Sequence, residues 1–200
     1  VDIPSPALKG AKVLVCGIAN EHSIAYGCAR AFRELGAEPA ITYLNEKSKA
    51  YVEPLAKDLQ ASILMPLNVS QPGELEAVFE RIDKDWGRLD VLVHSLAWAP
   101  KEDLQGGLLD SSAEGFAKAM DISCHSFIRM AKLAEPLMSK GGCLMTVTFY
   151  GSEKVVEHYN MMGPVKAALE STVRYMAAEL GGQGIRVHAL SPGALATRAA

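Results

Sequence analysis

The sequence predicts an α/β fold in which a doubly wound parallel sheet lies between two layers of helices. Short apolar runs alternate with helical patterns along the chain, and those runs are nearly continuously apolar rather than alternating with polar residues. Such a strand is buried on both faces, as in a parallel sheet that helices cover. The 200 residues suffice for a sizeable core, and we expect a single domain over residues 1–200.

The predicted strands are six short apolar segments. The first, KVLVC, is followed at once by Gly17, and Pro66 marks the third as an edge strand or a strand end. The segments are Lys12–Cys16, Pro39–Tyr43, Ser62–Leu67, Leu89–His94, Cys143–Thr148 and Arg186–Ser191.

The predicted helices fill the intervals between these strands, each with apolar residues at helical spacing. They are Ser23–Leu35, Lys47–Leu59, Gly73–Trp86, Glu114–Met138 and Pro164–Leu180, with a loop-rich connection over residues 98–113. This order is typical of a Rossmann-like, three-layer α/β/α fold. The sequence ends just after the sixth strand, where such a sheet normally continues, so we expect the C-terminal part of the fold to be missing from it.

The composition excludes several classes of protein. The net charge is −3 with both signs scattered along the chain, which argues against nucleic acid as a partner. No apolar run approaches the roughly 20 residues that span a bilayer, and the N-terminus has no signal pattern. The four cysteines are widely spaced, without a metal or disulfide pattern, which indicates buried thiols in the cytoplasm and no metal site.

The first strand–helix junction favours a phosphate site. Gly17 ends the strand, and the helix start near Ser23 supplies free backbone N–H groups and the positive end of a dipole. The Ser23 hydroxyl could cap the helix, bond a phosphate oxygen, or do both. The spacing is not G-x-G-x-x-G, so the loop alone is equally consistent with an ordinary turn.

Three other strand ends favour a dinucleotide. Asn68-Val69 follows the third strand, where the amide could hydrogen-bond adenine's amino group; His94 to Ala97 follows the fourth and Ser191 to Gly193 the sixth. Leu44 to Lys47, after the second strand, offers no arginine for a 2′-phosphate. This favours NADH over NADPH.

The segment FYGSEKVVEHYNMMGPVK after the fifth strand holds Tyr159 and Lys166, seven residues apart. A tyrosine hydroxyl can donate a hydrogen bond to an oxygen that gains negative charge, and an ammonium group lowers the cost of that charge. For an arbitrary pair, a half-buried tyrosine and a solvated lysine are the plainer interpretation. The residues at the surrounding strand ends suit a bound nucleotide, and they favour a catalytic role for this tyrosine and lysine.

Several motifs together resemble the short-chain dehydrogenase/reductase superfamily, and within it the bacterial enoyl-acyl carrier protein reductase branch. The first loop reads G-x5-SIAYG from Gly17, the fourth strand ends in His94-Ser95, and Asp121-Ile122-Ser123 stands where ordinary members have an asparagine motif. The tyrosine and lysine are spaced Y-x6-K, with Asn160 between them. The resemblance covers the chain from about Gly10 to Ala200.

The resemblance implies a role for individual residues. Tyr159 would donate a hydrogen bond to the thioester carbonyl of a trans-2-enoyl substrate, and Lys166 would hold the nicotinamide ribose. Cofactor-binding residues would be Gly17, Ser23, Ile24, Leu44, Asn68, Val69, Leu96, Lys166, Leu195, Ala196, Thr197, Arg198 and Ala199. Ala99, Tyr159 and Met162 would bind the substrate. It also implies fatty acid biosynthesis, acyl carrier protein as partner and a homotetramer, with Glu114–Met138 packed between subunits.

Four departures from the branch affect the site: Asn68 stands where an aspartate is usual, Ala97 where glycine is usual, and the other two, Phe149 and Pro164, lie around Tyr159. Phe149 stands where the branch often has a second tyrosine, and Tyr150 follows one place later. We include Tyr150 among the candidate catalytic residues, although a shift of one residue at a strand end turns a side chain to the other face. Pro164 suits the first turn of a helix, and a helix start near Gly163 would leave Tyr159 in the preceding loop.

The predicted reaction is hydride transfer from NAD(P)H to the β-carbon of an α,β-unsaturated acyl thioester. Two alternatives stay open. One is a carbonyl reductase or alcohol dehydrogenase of the wider superfamily, which usually carries Y-x3-K. The other is a nucleotide-binding relative without turnover.

Overall fold

The computed structural model describes residues 7–193 and residue 195, and in it six strands form one parallel sheet. The strand order is β3-β2-β1-β4-β5-β6, which confirms the predicted doubly wound fold. The strands are β1 (Lys12–Cys16), β2 (Glu38–Tyr43), β3 (Ile63–Pro66), β4 (Val91–His94), β5 (Gly142–Val147) and β6 (Ile185–Leu190). Pro66 is the last residue of β3, which is also an edge strand.

Seven α-helices of the described residues connect and follow these strands. They are α1 (Ile24–Glu34), α2 (Glu46–Asp58), α3 (Glu74–Trp86), α4 (Lys101–Gln105), α5 (Ala113–Met120), α6 (Ser126–Ala134) and α7 (Met162–Leu180). Among the described residues, no helix combines the length and apolar character that crossing a membrane requires.

The sheet is buried on both faces, as the continuous apolar runs predict. Val13 and Val15 of β1 belong to a core cluster with α1 and α2. Leu14 and Cys16, the alternate residues of the same strand, belong to a second cluster with α3, α6 and α7. Because both faces are covered, ligands can approach the sheet only at its edges or at the strand ends.

The segment predicted as one helix, Glu114–Met138, is not continuous. A π-helical turn, Asp121–His125, separates α5 from α6, and a 3₁₀ turn, Glu135–Leu137, follows α6. Within the π-helical turn the Ser123 hydroxyl is fully buried, accepts a hydrogen bond from the Trp98 N–H (2.9 Å) and donates one to the Trp98 carbonyl (3.1 Å). These hydrogen bonds between residues far apart in the sequence favour the π-helical turn over a continuous α-helix. The spacing of apolar residues, from which the helix was predicted, contains no sign of them.

The connection over residues 98–113 is more regular than predicted. It contains α4 and a 3₁₀ turn, Leu108–Asp110. Helix α7 begins at Met162 with Pro164 in its first turn, which confirms the predicted start near Gly163 and places Tyr159 in the turn before the helix.

Gly17 directly follows β1 and lies against Ser95, which directly follows β4. Its φ is 107°, a conformation that side chains strongly disfavour, and a Cβ atom there would collide with the Ser95 carbonyl oxygen. The Ser95 N–H donates to the Cys16 carbonyl at 3.0 Å, which holds the two strand ends together. Both the backbone conformation and the available space therefore require glycine.

We predict that Gly17→Ala lowers the free energy of unfolding by about 3 kcal/mol or more, because it adds a disfavoured φ to a backbone collision. Gly27→Ala is the matched control. Gly27 lies inside α1 with no atom within 4 Å of an added Cβ, so alanine should leave stability unchanged or raise it by about 1 kcal/mol. Urea unfolding curves measure both effects, and similar midpoints for the two variants would contradict the prediction.

Candidate active site

The carboxyl ends of the central strands border a cleft of about 670 Å³, which we call the main cleft. Its walls come from the ends of β1, β4 and β5, the turn before α7, and the residues after β6. This is where a doubly wound sheet binds its ligands. The predicted site residues that line it are Gly17, Ser23, Ile24, Leu96, Tyr159, Lys166 and Leu195.

The other predicted site residues lie elsewhere. Leu44 is exposed just after β2, and Asn68 and Val69 follow β3, so these three lie at the same edge of the sheet beside the main cleft. Ala99 and Met162 pack with Tyr159 in a small apolar cluster. Ala196, Thr197, Arg198 and Ala199 lie outside the described residues.

Ser23 shapes the loop between β1 and α1. Its hydroxyl oxygen accepts hydrogen bonds from the N–H groups of Ala19 (3.0 Å) and Asn20 (3.1 Å), and it makes no side-chain cap of α1. The capping role considered from the sequence is therefore wrong. Because the Ser23 hydroxyl accepts hydrogen bonds from the loop and none from the helix, the first N–H groups of α1 remain available at the cleft wall.

Asn68 closes a turn ahead of α3. Its side-chain oxygen accepts from the Ser70 N–H at 3.0 Å, and its own backbone N–H donates to the Glu74 carboxylate at 2.6 Å. An amide oxygen has two lone pairs, so this turn leaves one acceptor position open for an amino group. The neighbouring Val69 carbonyl accepts from Arg129 Nη1 at 2.9 Å.

Tyr159 is held in an unusual backbone setting. Its neighbours His158 (φ 64°) and Asn160 (φ 39°) are both left-handed, a conformation that costs free energy and clusters at functional sites. The tyrosine ring contacts the Phe149 ring, with centroids 4.8 Å apart, and lies so close to Gly151 that a Cβ there would collide with it. Burial raises the pKa of Tyr159 to about 12, so its hydroxyl is a proton donor at neutral pH.

Asn160 ties the Tyr159 turn to α4. Its side-chain amide donates hydrogen bonds to the carbonyls of Leu104 (2.5 Å) and Gly106 (2.6 Å), at the C-terminal end of that helix. Sequence reasoning missed this role, although asparagine beside the key tyrosine was a signal, since asparagine tolerates the left-handed conformation.

Lys166 is buried in α7 with only 5% of its surface exposed, so the interpretation as a solvated lysine is wrong. Its Nζ donates a hydrogen bond to the Val147 carbonyl at the end of β5, at 2.7 Å. Burial lowers the pKa of Lys166 to about 8, while Cys124 and Glu170 act in the opposite direction. The ammonium form therefore predominates at neutral pH, and the charge is lost under mildly alkaline conditions.

His94 is a fully buried link between elements. Its Nδ1 pairs with the Thr146 hydroxyl of β5 at 2.8 Å, and its Nε2 pairs with the Ser126 hydroxyl of α6 at 2.7 Å. Burial lowers its pKa to about 3, so the ring is neutral at physiological pH. His94 therefore packs at the strand end, as expected from the sequence.

Phe149, and not Tyr150, occupies the cleft wall at the end of β5. Phe149 lines the main cleft and contacts Tyr159, whereas Tyr150 begins a 3₁₀ turn and is 53% exposed. The shift of one residue directs the two side chains differently. The structure therefore does not bring Tyr150 together with Tyr159 and Lys166 in the lining of the main cleft.

The geometry can be compared with known proteins. The family model described as enoyl-(acyl carrier protein) reductase matches residues 17–200. The chain belongs to this family. A curated relative, the enoyl-(acyl carrier protein) reductase (NADH) 1 of Rhizobium meliloti, is 44% identical over 98% of this chain and 72% of its own length. The chain thus spans about three quarters of that reductase's length.

Solved structures of other reductases have the same fold. The enzyme of Aquifex aeolicus superposes with a TM-score of 0.94 at 44% identity, covering 97% of this chain and 77% of that one. The enzyme of Anaplasma phagocytophilum, solved with NAD, gives 0.92 at 44% identity, covering 97% and 75%. The Bacillus cereus enzyme, solved with NADP+ and an indole naphthyridinone, gives 0.94 at 40% identity, covering 97% and 76%. These likenesses confirm the fold and family that the motifs indicated.

We predict that replacing Asn160 frees the connection over residues 98–113 in this reductase. Asn160→Ala removes both hydrogen bonds to α4 and keeps the strained φ, whereas Asn160→Gly removes the same bonds but relieves the strain. Both variants should speed amide hydrogen exchange over residues 101–110. Alanine should lower the free energy of unfolding by about 1 kcal/mol more than glycine. Unchanged exchange in both variants would contradict this role.

Proposed function

We propose that this chain transfers hydride from NADH to the β-carbon of a trans-2-enoyl thioester carried by acyl carrier protein, in fatty acid biosynthesis. The observation that carries the proposal is a half-buried, protonated Tyr159 hydroxyl in the wall of a cleft that also contains the buried Lys166 ammonium group. Both groups lie at the strand ends where a doubly wound sheet binds nucleotides. The names of the curated relatives support the same reaction.

The residues of the main cleft fit a nicotinamide dinucleotide. Gly17 allows the chain after β1 to pass close to Ser95 at the end of β4, and the start of α1 offers N–H groups and a positive dipole end to a pyrophosphate. Asn68 keeps an acceptor position for adenine's amino group, with Leu44 and Val69 nearby along the sheet edge. When bound, NADH supplies the hydride; the chain's own residues orient it and control charge.

Tyr159 would stabilise the negative charge that develops on the thioester oxygen as the β-carbon is reduced. Its pKa of about 12 keeps the proton on the phenol, so the hydroxyl would donate a hydrogen bond to the enolate oxygen while the α-carbon takes up a proton from solvent water. Lys166 would hold the ribose hydroxyls and add positive potential. Phe149 has no hydroxyl, so within this aromatic pair only Tyr159 can donate.

Three finer properties belong to the proposal. NADH is favoured over NADPH because Leu44 to Lys47 offers no arginine to a 2′-phosphate, although the related Bacillus cereus enzyme was solved with NADP+. The homotetramer that the family resemblance implies would cover the exposed side chains of Ile128 of α6 and Tyr175 of α7, which are 40% and 78% exposed. A cytoplasmic location is supported by the four cysteines, all of which are free thiols.

The first test is an absorbance assay with NADH and, in parallel, NADPH. Crotonyl thioester is one substrate and a simple ketone is the other. We expect oxidation with the thioester alone and faster oxidation of NADH. Oxidation with the ketone alone would establish a carbonyl reductase instead. Cofactor binding without either oxidation would establish a nucleotide-binding relative without turnover.

We predict that Tyr159→Phe lowers turnover by roughly 10²–10³-fold, the usual loss when one donor to an oxyanion is removed. NADH affinity should be preserved, because the variant keeps the ring and its contact with Phe149. Tyr150→Phe is the matched control and should retain activity, since its exposed ring is not part of the cleft lining. Near-normal turnover by Tyr159→Phe would remove Tyr159 from the catalytic role.

We predict that NADH affinity falls as the pH rises through about 8, because Lys166 then loses the proton that gives it charge. Lys166→Ala should bind NADH weakly and without this pH dependence. Lys57→Ala, which removes an exposed lysine of α2, should behave as the wild type. Fluorescence titration of NADH across this range measures the effect. An unchanged affinity in Lys166→Ala would contradict the assignment.

A further inference from the structure

Besides Lys166, helix α7 has a second residue, Glu170, that forms hydrogen bonds with the segment at the end of β5. One turn beyond Lys166, the Glu170 carboxylate accepts two hydrogen bonds on one oxygen, from the Thr148 hydroxyl (2.6 Å) and the Ser152 hydroxyl (2.5 Å). Lys166 binds the preceding carbonyl, that of Val147. The short segment that carries Phe149 and Gly151 is therefore fixed to α7 on both sides.

This turn forms one wall of the Tyr159 position. The Phe149 ring contacts the tyrosine ring, and Gly151 lies so close to it that no Cβ would fit. The other side of the Tyr159 turn is fixed independently, through Asn160 and α4. A displacement of the turn after β5 would therefore move the surface against which Tyr159 packs, while leaving the tyrosine's own anchor intact.

We propose that Glu170 is a positioning residue, whose carboxylate fixes the Thr148–Ser152 turn so that Phe149 and Gly151 hold the Tyr159 ring at the main cleft. Glu170 touches neither reacting group and acts through the turn. Hydrogen bonds to an ionised carboxylate are stronger than neutral ones, and here both donors are side-chain hydroxyls with short, defined geometry. Thr148 is buried, which protects its bond from water.

The charge of Glu170 has a second consequence. Three ionisable groups interact electrostatically with Lys166: Cys124 from the π-helical turn, His94 from β4, and Glu170 from α7 itself. Tyr159, from the turn before α7, lines the same cleft. Burial keeps His94 and Tyr159 neutral. Burial also lowers the pKa of Lys166, and Cys124 and Glu170 counteract it, so loss of the glutamate charge should lower that pKa further.

Four variants distinguish the positioning role of Glu170 from the effect of its charge on Lys166. Glu170→Gln keeps an acceptor oxygen but removes the charge, and Glu170→Ala removes both. Thr148→Val and Ser152→Ala each remove one donor and keep the glutamate. Glu179→Gln, which removes an exposed charge from the same helix, is the matched control. The measurements are kcat against pH, the Tyr159 ring resonance by ¹³C NMR, and the titration of the Lys166 side chain by NMR.

We expect Glu170→Ala, which removes both hydrogen bonds to the turn, to lower kcat about tenfold, and each donor variant, which removes one, to lower it severalfold. In all three the Tyr159 resonance should shift. Because the Lys166 charge also adds positive potential at the developing enolate, kcat should fall at alkaline pH as Lys166 loses its proton. In Glu170→Gln this fall of kcat and the Lys166 titration should move to lower pH. Glu179→Gln should match the wild type in every measurement.

The inference rests on the proposed function only through kcat, since the two NMR readouts need no turnover. If the wild type lacks enoyl thioester turnover but the resonances respond as expected, the proposed function fails and the positioning role stands. If the wild type is active and the Glu170 variants match Glu179→Gln in kcat and both resonances, the positioning role fails. It fails equally if the variants lose only thermal stability, with the pH profile and the Tyr159 resonance unchanged.

Discussion

The burial of the sheet on both faces is the constraint on which the rest of this structure depends. Alternate residues of β1 face separate core clusters, with α1 and α2 on one side and α3, α6 and α7 on the other. Polar chemistry is thereby excluded from both faces and is confined to the strand ends. The main cleft lies there, because parallel strands bring all their carboxyl ends to one edge of the sheet.

At this edge of the sheet, hydrogen bonds from side chains of distant elements fix the positions of the strand ends. His94 links β4 to β5 and α6, Ser123 links the π-helical turn to Trp98, and Lys166 and Glu170 link α7 to the turn after β5. Each link satisfies a buried polar group that would otherwise cost free energy. Among these bonds, the one from Lys166 to the end of β5 also fixes a group proposed for hydride transfer.

Burial determines the pKa shifts of Tyr159 and Lys166 more than any interaction between the two side chains does. Desolvation raises the pKa of the tyrosine to about 12 and lowers that of the lysine to about 8. The two shifts leave a neutral donor and a cation in the lining of the same cleft at neutral pH. A neutral donor is what a developing enolate requires, because a phenolate would repel it.

The sequence by itself determined the alternation of strands and helices, the burial of the strands and the motifs that mark the family, because these are local patterns of apolar and small residues. Gly17, Tyr159 and Lys166 could be found in the same way. Only the tertiary structure decided that Phe149 rather than Tyr150 faces the cleft, that the Glu114–Met138 segment contains a π-helical turn, and that Asn160 and Glu170 hold the Tyr159 surroundings. These features depend on pairings between residues far apart in the chain, which no local periodicity records.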